Sequence, residues 1–176
     1  MSQKFTVLFD LDGTLVDTAP DLMIAHNHVM KKFGYKERDF SDIKKLAGGG
    51  SKAMLRKSIH AIAELSGKVK KADEKLEEEM TKEFIDFYSK NINTKSKLVT
   101  GVKEFLDWCK NNSVSMSVCT NKQEHLSIDL LKKIKIYHFF DYVAGGNTFN
   151  YNKPNPKHLT DVIEITGGDI KKTIMV

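Results

Sequence analysis

The feature that constrains this chain most is a short apolar run that ends on acids. Residues 5–10 read FTVLFD, and Leu11-Asp12-Gly13-Thr14 follow at once. The run is too short for a helical stripe and does not alternate with polar residues. That is the pattern of a strand buried on both faces, which belongs to a parallel sheet covered by helices. From residue 102 onward strand-like and helix-like segments alternate. Helix 102–110 precedes strand 114–119 (VSMSVC), helix 124–134 a short strand at 142–144, and helix 156–166 an apolar β-prone run at 173–176. Such alternation predicts an α/β fold, with a Rossmann-like parallel sheet core and helices on both faces.

The intervening stretch reads as helices only. Thr18 is placed to cap a helix, with Pro20 in its first turn and Asp21 three residues on. Leu22, Ala25, Val29, Met30 and Phe33 keep helical spacing until Gly34 ends the helix. A short helix is expected at 41–47, followed by the break Gly48-Gly49-Gly50. Ser51 then starts a helix with Met54, Leu55, Ile59, Ile62 and Leu65 on one face. A charged helix at about 72–88 carries Leu76, Met80, Phe84 and Phe87 or Tyr88 as its stripe. The expected organisation is a core of residues 1–16 and 90–176, with a small α-helical cap of residues 17–89 inserted after the first strand. Trp108 and the phenylalanines are expected to pack cores.

Composition narrows the function classes. No apolar run is long enough to span a bilayer, and the N-terminus lacks the apolar middle of a secretory signal, so a cytoplasmic protein without a membrane partner is expected. Cys109 and Cys119 have no metal-ligand spacing and read as two reduced thiols. The net charge is +5, but the lysines are interleaved with acids; residues 68–80 (KVKKADEKLEEEM) read as a solvated helix face. Nucleic acid is therefore not the expected partner. A small anionic metabolite suits a mild positive field.

In open parallel sheets, ligands bind beyond the carboxyl ends of the strands. Strand one ends in Asp10-Leu11-Asp12-Gly13-Thr14, strand two in Thr120-Asn121, and Lys153-Pro154-Asn155-Pro156 follows strand three. Each cluster alone has a plain reading: an Asp-Gly turn, a helix cap and a surface lysine. Their recurrence at three consecutive strand ends is what calls for a shared site. A calcium loop is excluded, because Leu15 occupies the position where that loop needs glycine and a strand precedes the acids.

The segment DLDGTLVDT at residues 10–18 resembles the first motif of the haloacid dehalogenase superfamily. Thr120-Asn121 is similar to the second motif, and Lys153 with Pro154 and Pro156 to the third. DTAPDL at residues 17–22, together with the glycine-rich break, resembles the phosphoglycolate phosphatases in particular. The resemblance implies a Mg²⁺-dependent phosphomonoester hydrolase acting through an aspartyl-phosphate. Two alternatives stay open: a sugar phosphomutase similar to β-phosphoglucomutase, and a non-catalytic phosphate-binding relative.

The residue chemistry agrees with that implication. A carboxylate can attack phosphorus if it is held in line and its charge is offset, which suits Asp10. Asp12 is placed to serve as general acid and then base. Gly13, Thr14, Thr120, Asn121 and Lys153 are the expected phosphate-binding groups, and Lys153 supplies fixed positive charge. The resemblance implies that Mg²⁺ is held by the Asp10 side chain and the Asp12 backbone carbonyl. Gly48, Gly49, Gly50, Lys52 and Arg56 are candidates for substrate selection in the cap; the glycines read equally well as a turn. Such enzymes carry a further acidic Gly-Asp motif after the fourth strand. Here that strand is the run 173–176, which ends at Val176 without the motif, so the expectation is a longer native protein and weak activity in the chain as it stands.

Overall fold

The computed structural model describes residues 5–42, 46, 50–66 and 74–176. Strands β1 (Thr6–Phe9), β4 (Ser115–Cys119), β5 (Tyr142–Ala144) and β6 (Thr173–Met175) form a parallel sheet in the order β5-β4-β1-β6. The register sets Phe9 beside Val118 and Leu8 beside Met175. Every residue of β1 is buried, as a strand covered on both faces requires.

Side chains alternate across a strand, so neighbours in β1 report on opposite faces. Leu8 packs with Cys119, Ala144, Val162 and Ile163, the last two from α6 (Lys157–Ile165). Phe9 meets Phe105 and Phe140 edge-on at 6.0 and 5.9 Å. Phe105 belongs to α4 (Val102–Asn111), so α4 and α6 lie on opposite faces of the sheet. Helix α5 (Glu124–Lys133) joins β4 to β5. The α/β architecture read from the sequence is the one observed.

The chain divides into two compact units, Met1–Thr18 with Ser96–Val176, and Ala19–Lys95. The second unit holds α1 (Ala19–Lys32), a 3₁₀ turn (Phe40–Asp42), α2 (Gly50–Ser66) and α3 (Glu74–Asn91). Met23, Val29 and Met30 of α1, Met54, Leu55 and Ile59 of α2, and Met80, Phe84 and Tyr88 of α3 are buried. No helix among the described residues is long and apolar enough to cross a membrane.

Several local expectations need correction. Trp108 is 56% exposed, stacked on Phe105 at 6.1 Å rather than sunk in a core, because the buried stripe of α4 runs through Leu106 and Cys109 instead. Phe5, Phe40 and Phe105 are exposed too. A two-residue antiparallel ladder, β2 (Val16–Asp17) with β3 (Lys97–Leu98), was not anticipated; two residues give no periodicity to read. Of the helix expected at 41–47, the described residues are the end of the 3₁₀ turn and Leu46, which is helical and buried. Gly48, Gly49 and the side chains of Ile62 and Leu65 lie outside the described residues.

Candidate active site

The site forms where the chain leaves β1. The Asp10 N–H donates to the Val176 carbonyl at 2.8 Å, which carries the β1–β6 ladder one residue past the strand. The chain then curls. The Leu11 carbonyl accepts from the N–H groups of Leu15 and Val16 at 3.1 and 3.0 Å, and the Leu11 and Leu15 side chains are fully buried. Gly13 sits at φ 82°, a left-handed conformation that costs glycine nothing and allows the reversal. This curl brings Asp12 back beside the strand end.

Two lysines meet the two aspartates. Lys153 Nζ lies 3.0 Å from Asp10 Oδ1, the oxygen that also accepts the Leu11 N–H at 2.8 Å. Lys122 Nζ lies 3.1 Å from Asp12 Oδ1, which also accepts the Thr18 hydroxyl at 2.7 Å. Cys119, one residue before Thr120, is buried; desolvation pushes its thiol up to about 12, with Lys153 and Asp10 as the charges it senses.

The loops after β4 and β5 are tied together. Thr120 is 1% exposed, and its N–H donates to the Ala144 carbonyl at 3.0 Å. The Asn121 amide nitrogen donates to the Lys153 carbonyl at 3.1 Å, fixing the backbone that carries the ammonium. The Lys153–Pro154 peptide is cis. The Gly145-Gly146 turn lies against the same loop, and a Cβ on Gly145 would stand 2.2 Å from the Glu124 nitrogen. Only glycine permits that approach.

Asp10, Asp12, Thr120, Asn121 and Lys153 thus share the carboxyl ends of the parallel strands, all within the first unit. The Gly13 N–H, a candidate phosphate donor, is taken by the Val16 carbonyl at 2.8 Å, and the Thr14 N–H faces the Leu11 carbonyl at 3.4 Å. In the second unit Gly50 opens α2 with φ 80°, and Lys52 is half-buried. Arg56 pairs with Glu77, through Nε to Oε1 at 2.9 Å and Nη2 to Oε2 at 2.5 Å. That pairing holds the Glu77 carboxyl below the usual carboxylate range.

Sequence reasoning passed over Lys122 and the link from Thr18 to Asp12. The signal for Lys122 was only its place directly after Thr120-Asn121. Thr18 stands directly before α1, at the cap position expected from the sequence, and its hydroxyl proton goes to Asp12.

No three His, Cys, Asp or Glu side chains among the described residues cluster as a metal site. The available donors are the Asp10 carboxylate and backbone oxygens, a hard, oxygen-only set with few protein ligands. That set fits Mg²⁺, which keeps several waters and binds through one or two carboxylates plus substrate phosphate.

Residues 7–176 match the family described as haloacid dehalogenase-like hydrolase. The chain is 35% identical over 170 residues to a phosphoglycolate phosphatase of Mesorhizobium japonicum, covering 97% of this chain and 72% of that one. It is 34% identical over 169 residues to the phosphoglycolate phosphatase of Agrobacterium fabrum, covering 96% and 70%. A crystal structure of a Haemophilus somnus protein described as a predicted phosphoglycolate phosphatase superposes with a TM-score of 0.89 at 25% identity, over 99% of this chain and 77% of that one.

Proposed function

The chain belongs to the haloacid dehalogenase-like hydrolases, and from that membership we propose that it is a Mg²⁺-dependent phosphomonoester hydrolase with phosphoglycolate as substrate. Its relatives at about a third identity are phosphoglycolate phosphatases. The observation that carries the reading is the ammonium of Lys153, 3.0 Å from the Asp10 carboxylate at the carboxyl end of the central parallel strands.

Asp10 acts as nucleophile. One of its carboxylate oxygens attacks phosphorus, the P–O bond to the leaving alcohol breaks, and an aspartyl-phosphate forms. Asp12 gives a proton to the departing oxygen, then takes one from the water that attacks the aspartyl-phosphate and releases inorganic phosphate. Lys153 offsets the charge that gathers on the phosphoryl oxygens, from a position fixed by Asn121. Thr120 donates its hydroxyl proton to a phosphoryl oxygen. The Asp10 carboxylate and the Asp12 carbonyl would hold Mg²⁺, which would supply Lewis-acid polarisation of the phosphoryl group when bound.

The test is inorganic phosphate release from phosphoglycolate by this chain, with and without Mg²⁺, beside Asp10→Asn. Release that depends on both Mg²⁺ and Asp10 supports the reading. Turnover equal in the wild type and Asp10→Asn removes it, and release of an isomer in place of phosphate redirects it to a mutase.

A further inference from the structure

We propose that Lys122 is the positioning residue for Asp12, holding its carboxylate so that one oxygen is left to carry the proton. The inference rests on the reading of Asp12 as acid and base.

Lys122 is 8% exposed as a residue, and its side chain 5%. A lysine so buried is uncommon and persists only with a partner for its charge. The partner is Asp12 Oδ1 at 3.1 Å, and the Thr18 hydroxyl donates to the same oxygen at 2.7 Å. Two donors converging on Oδ1 fix the plane of the carboxylate. Both the ion pair and the hydrogen bond fall on Oδ1, so Oδ2 is the oxygen from which a proton would pass to a leaving alkoxide.

The lysine is itself held at the backbone. Its N–H donates to Thr120 Oγ1 at 3.2 Å, and its carbonyl accepts from the Gly146 N–H at 2.8 Å. The loops after β4 and β5 thereby set where the ammonium sits, and the ammonium sets Asp12. The two acids are treated alike, each with its own lysine on Oδ1. Lys153 is the more exposed of the two, with its side chain at 19%, as suits a group that meets substrate; Lys122 acts through Asp12.

Leaving-group dependence tests this. An alkyl phosphate expels an alkoxide that needs a proton, whereas p-nitrophenyl phosphate expels a phenolate that does not. The readout is kcat/KM for both esters, which reports steps through the first irreversible one. Asp12→Asn is expected to lose about 100-fold on the alkyl ester and far less on the aryl ester. Lys122→Met is expected to lose about 10-fold or more on the alkyl ester and to stay within about 3-fold on the aryl ester. Lys122→Arg, which keeps the charge, should recover much of the alkyl rate. The ratio of the two activities does not depend on the fraction folded, so partial misfolding cannot mimic the pattern.

An equal fall on both esters for Lys122→Met or Lys122→Arg, beside a selective fall for Asp12→Asn, removes the role of Lys122 alone. An equal fall for Asp12→Asn removes the acid assignment itself, and this inference with it. A crystal structure of Lys122→Met gives a readout that needs no turnover: Asp12 still within 2.7 Å of the Thr18 hydroxyl, in the same rotamer, would also overturn the proposal.

Discussion

The Lys153 ammonium stands 3.0 Å from Asp10 Oδ1, although the two lie 143 positions apart in the chain. Two features make the contact. Asp10 is carried one residue past β1 by its N–H bond to the Val176 carbonyl, and the Lys153 carbonyl is held by the Asn121 amide. The ammonium is therefore fixed from the loop after β4, and the aspartate from the central strand. In the proposed reaction, a fixed cation beside the Asp10 carboxylate would offset the repulsion that a phosphate dianion otherwise meets.

Lys153→Met is accordingly expected to lower kcat by about 100- to 1000-fold while leaving the fold intact. Phosphate release and far-UV circular dichroism together check this. A variant that turns over within a few-fold of the wild type would place the offsetting charge elsewhere.

Gly145 tests how the loops are held. A methyl group there would stand 2.2 Å from the Glu124 nitrogen and 2.7 Å from the Lys122 carbonyl oxygen, both backbone atoms with little room to move. Gly145→Ala should destabilise the first unit by about 2 kcal/mol or more, at the upper end of overpacking costs. Urea unfolding checks it through the midpoint, and an unchanged midpoint would mean that the loop shifts freely.

Much of this architecture was legible in the sequence, for reasons particular residues make plain. The run ending at Asp10 has the composition of a strand buried on both faces, and β1 is buried throughout. Thr120-Asn121 and Lys153 stood at strand ends, and the parallel sheet order brings those ends together. What was not legible depends on contacts between distant segments. Lys122 reads as one more surface lysine until the Gly145-Gly146 turn closes over its backbone. His26 reads as a polar interruption of its helix, yet it is fully buried, because Ser58 on α2 supplies a partner 2.8 Å from Nε2. Trp108 misled in the other direction: its size argued for burial, while its position on α4 faces water.

His26 carries a pH prediction. Burial lowers its pKa most; the hydrogen bond to Asn27 opposes that shift, and the Arg38 charge adds to it. The folded state therefore prefers the neutral ring, and the unfolded chain binds the proton more readily. The stability it contributes is complete above the unfolded value of 6.5 and is lost as pH falls below that value toward the folded one. His158 is lowered by burial as well, with the same sign. Thermal melts at pH 7 and pH 5 should show a lower midpoint at the acid end. His26→Gln, which keeps a polar partner for Ser58 but cannot titrate, should narrow that gap; a gap unchanged by the substitution would assign the acid sensitivity to other groups.

The thiols carry the last prediction. Cys109 and Cys119 are both free and buried, and desolvation raises the thiol pKa of each. For Cys119 the value reaches about 12: burial outweighs the nearby Lys153 ammonium, which by itself would favour the thiolate, and the Asp10 carboxylate adds to the rise. The thiolate is the reacting form, so at pH 8 the native protein should resist iodoacetamide at Cys119. Denaturation removes the desolvation and returns the thiol to the ordinary range, where alkylation becomes rapid. Mass spectrometry of native and urea-unfolded samples reads the difference directly. Fast labelling of native Cys119 would show that the carboxyl end of β4 opens to solvent, which the tight packing of Cys119 against Leu8, Ala144 and Val162 argues against.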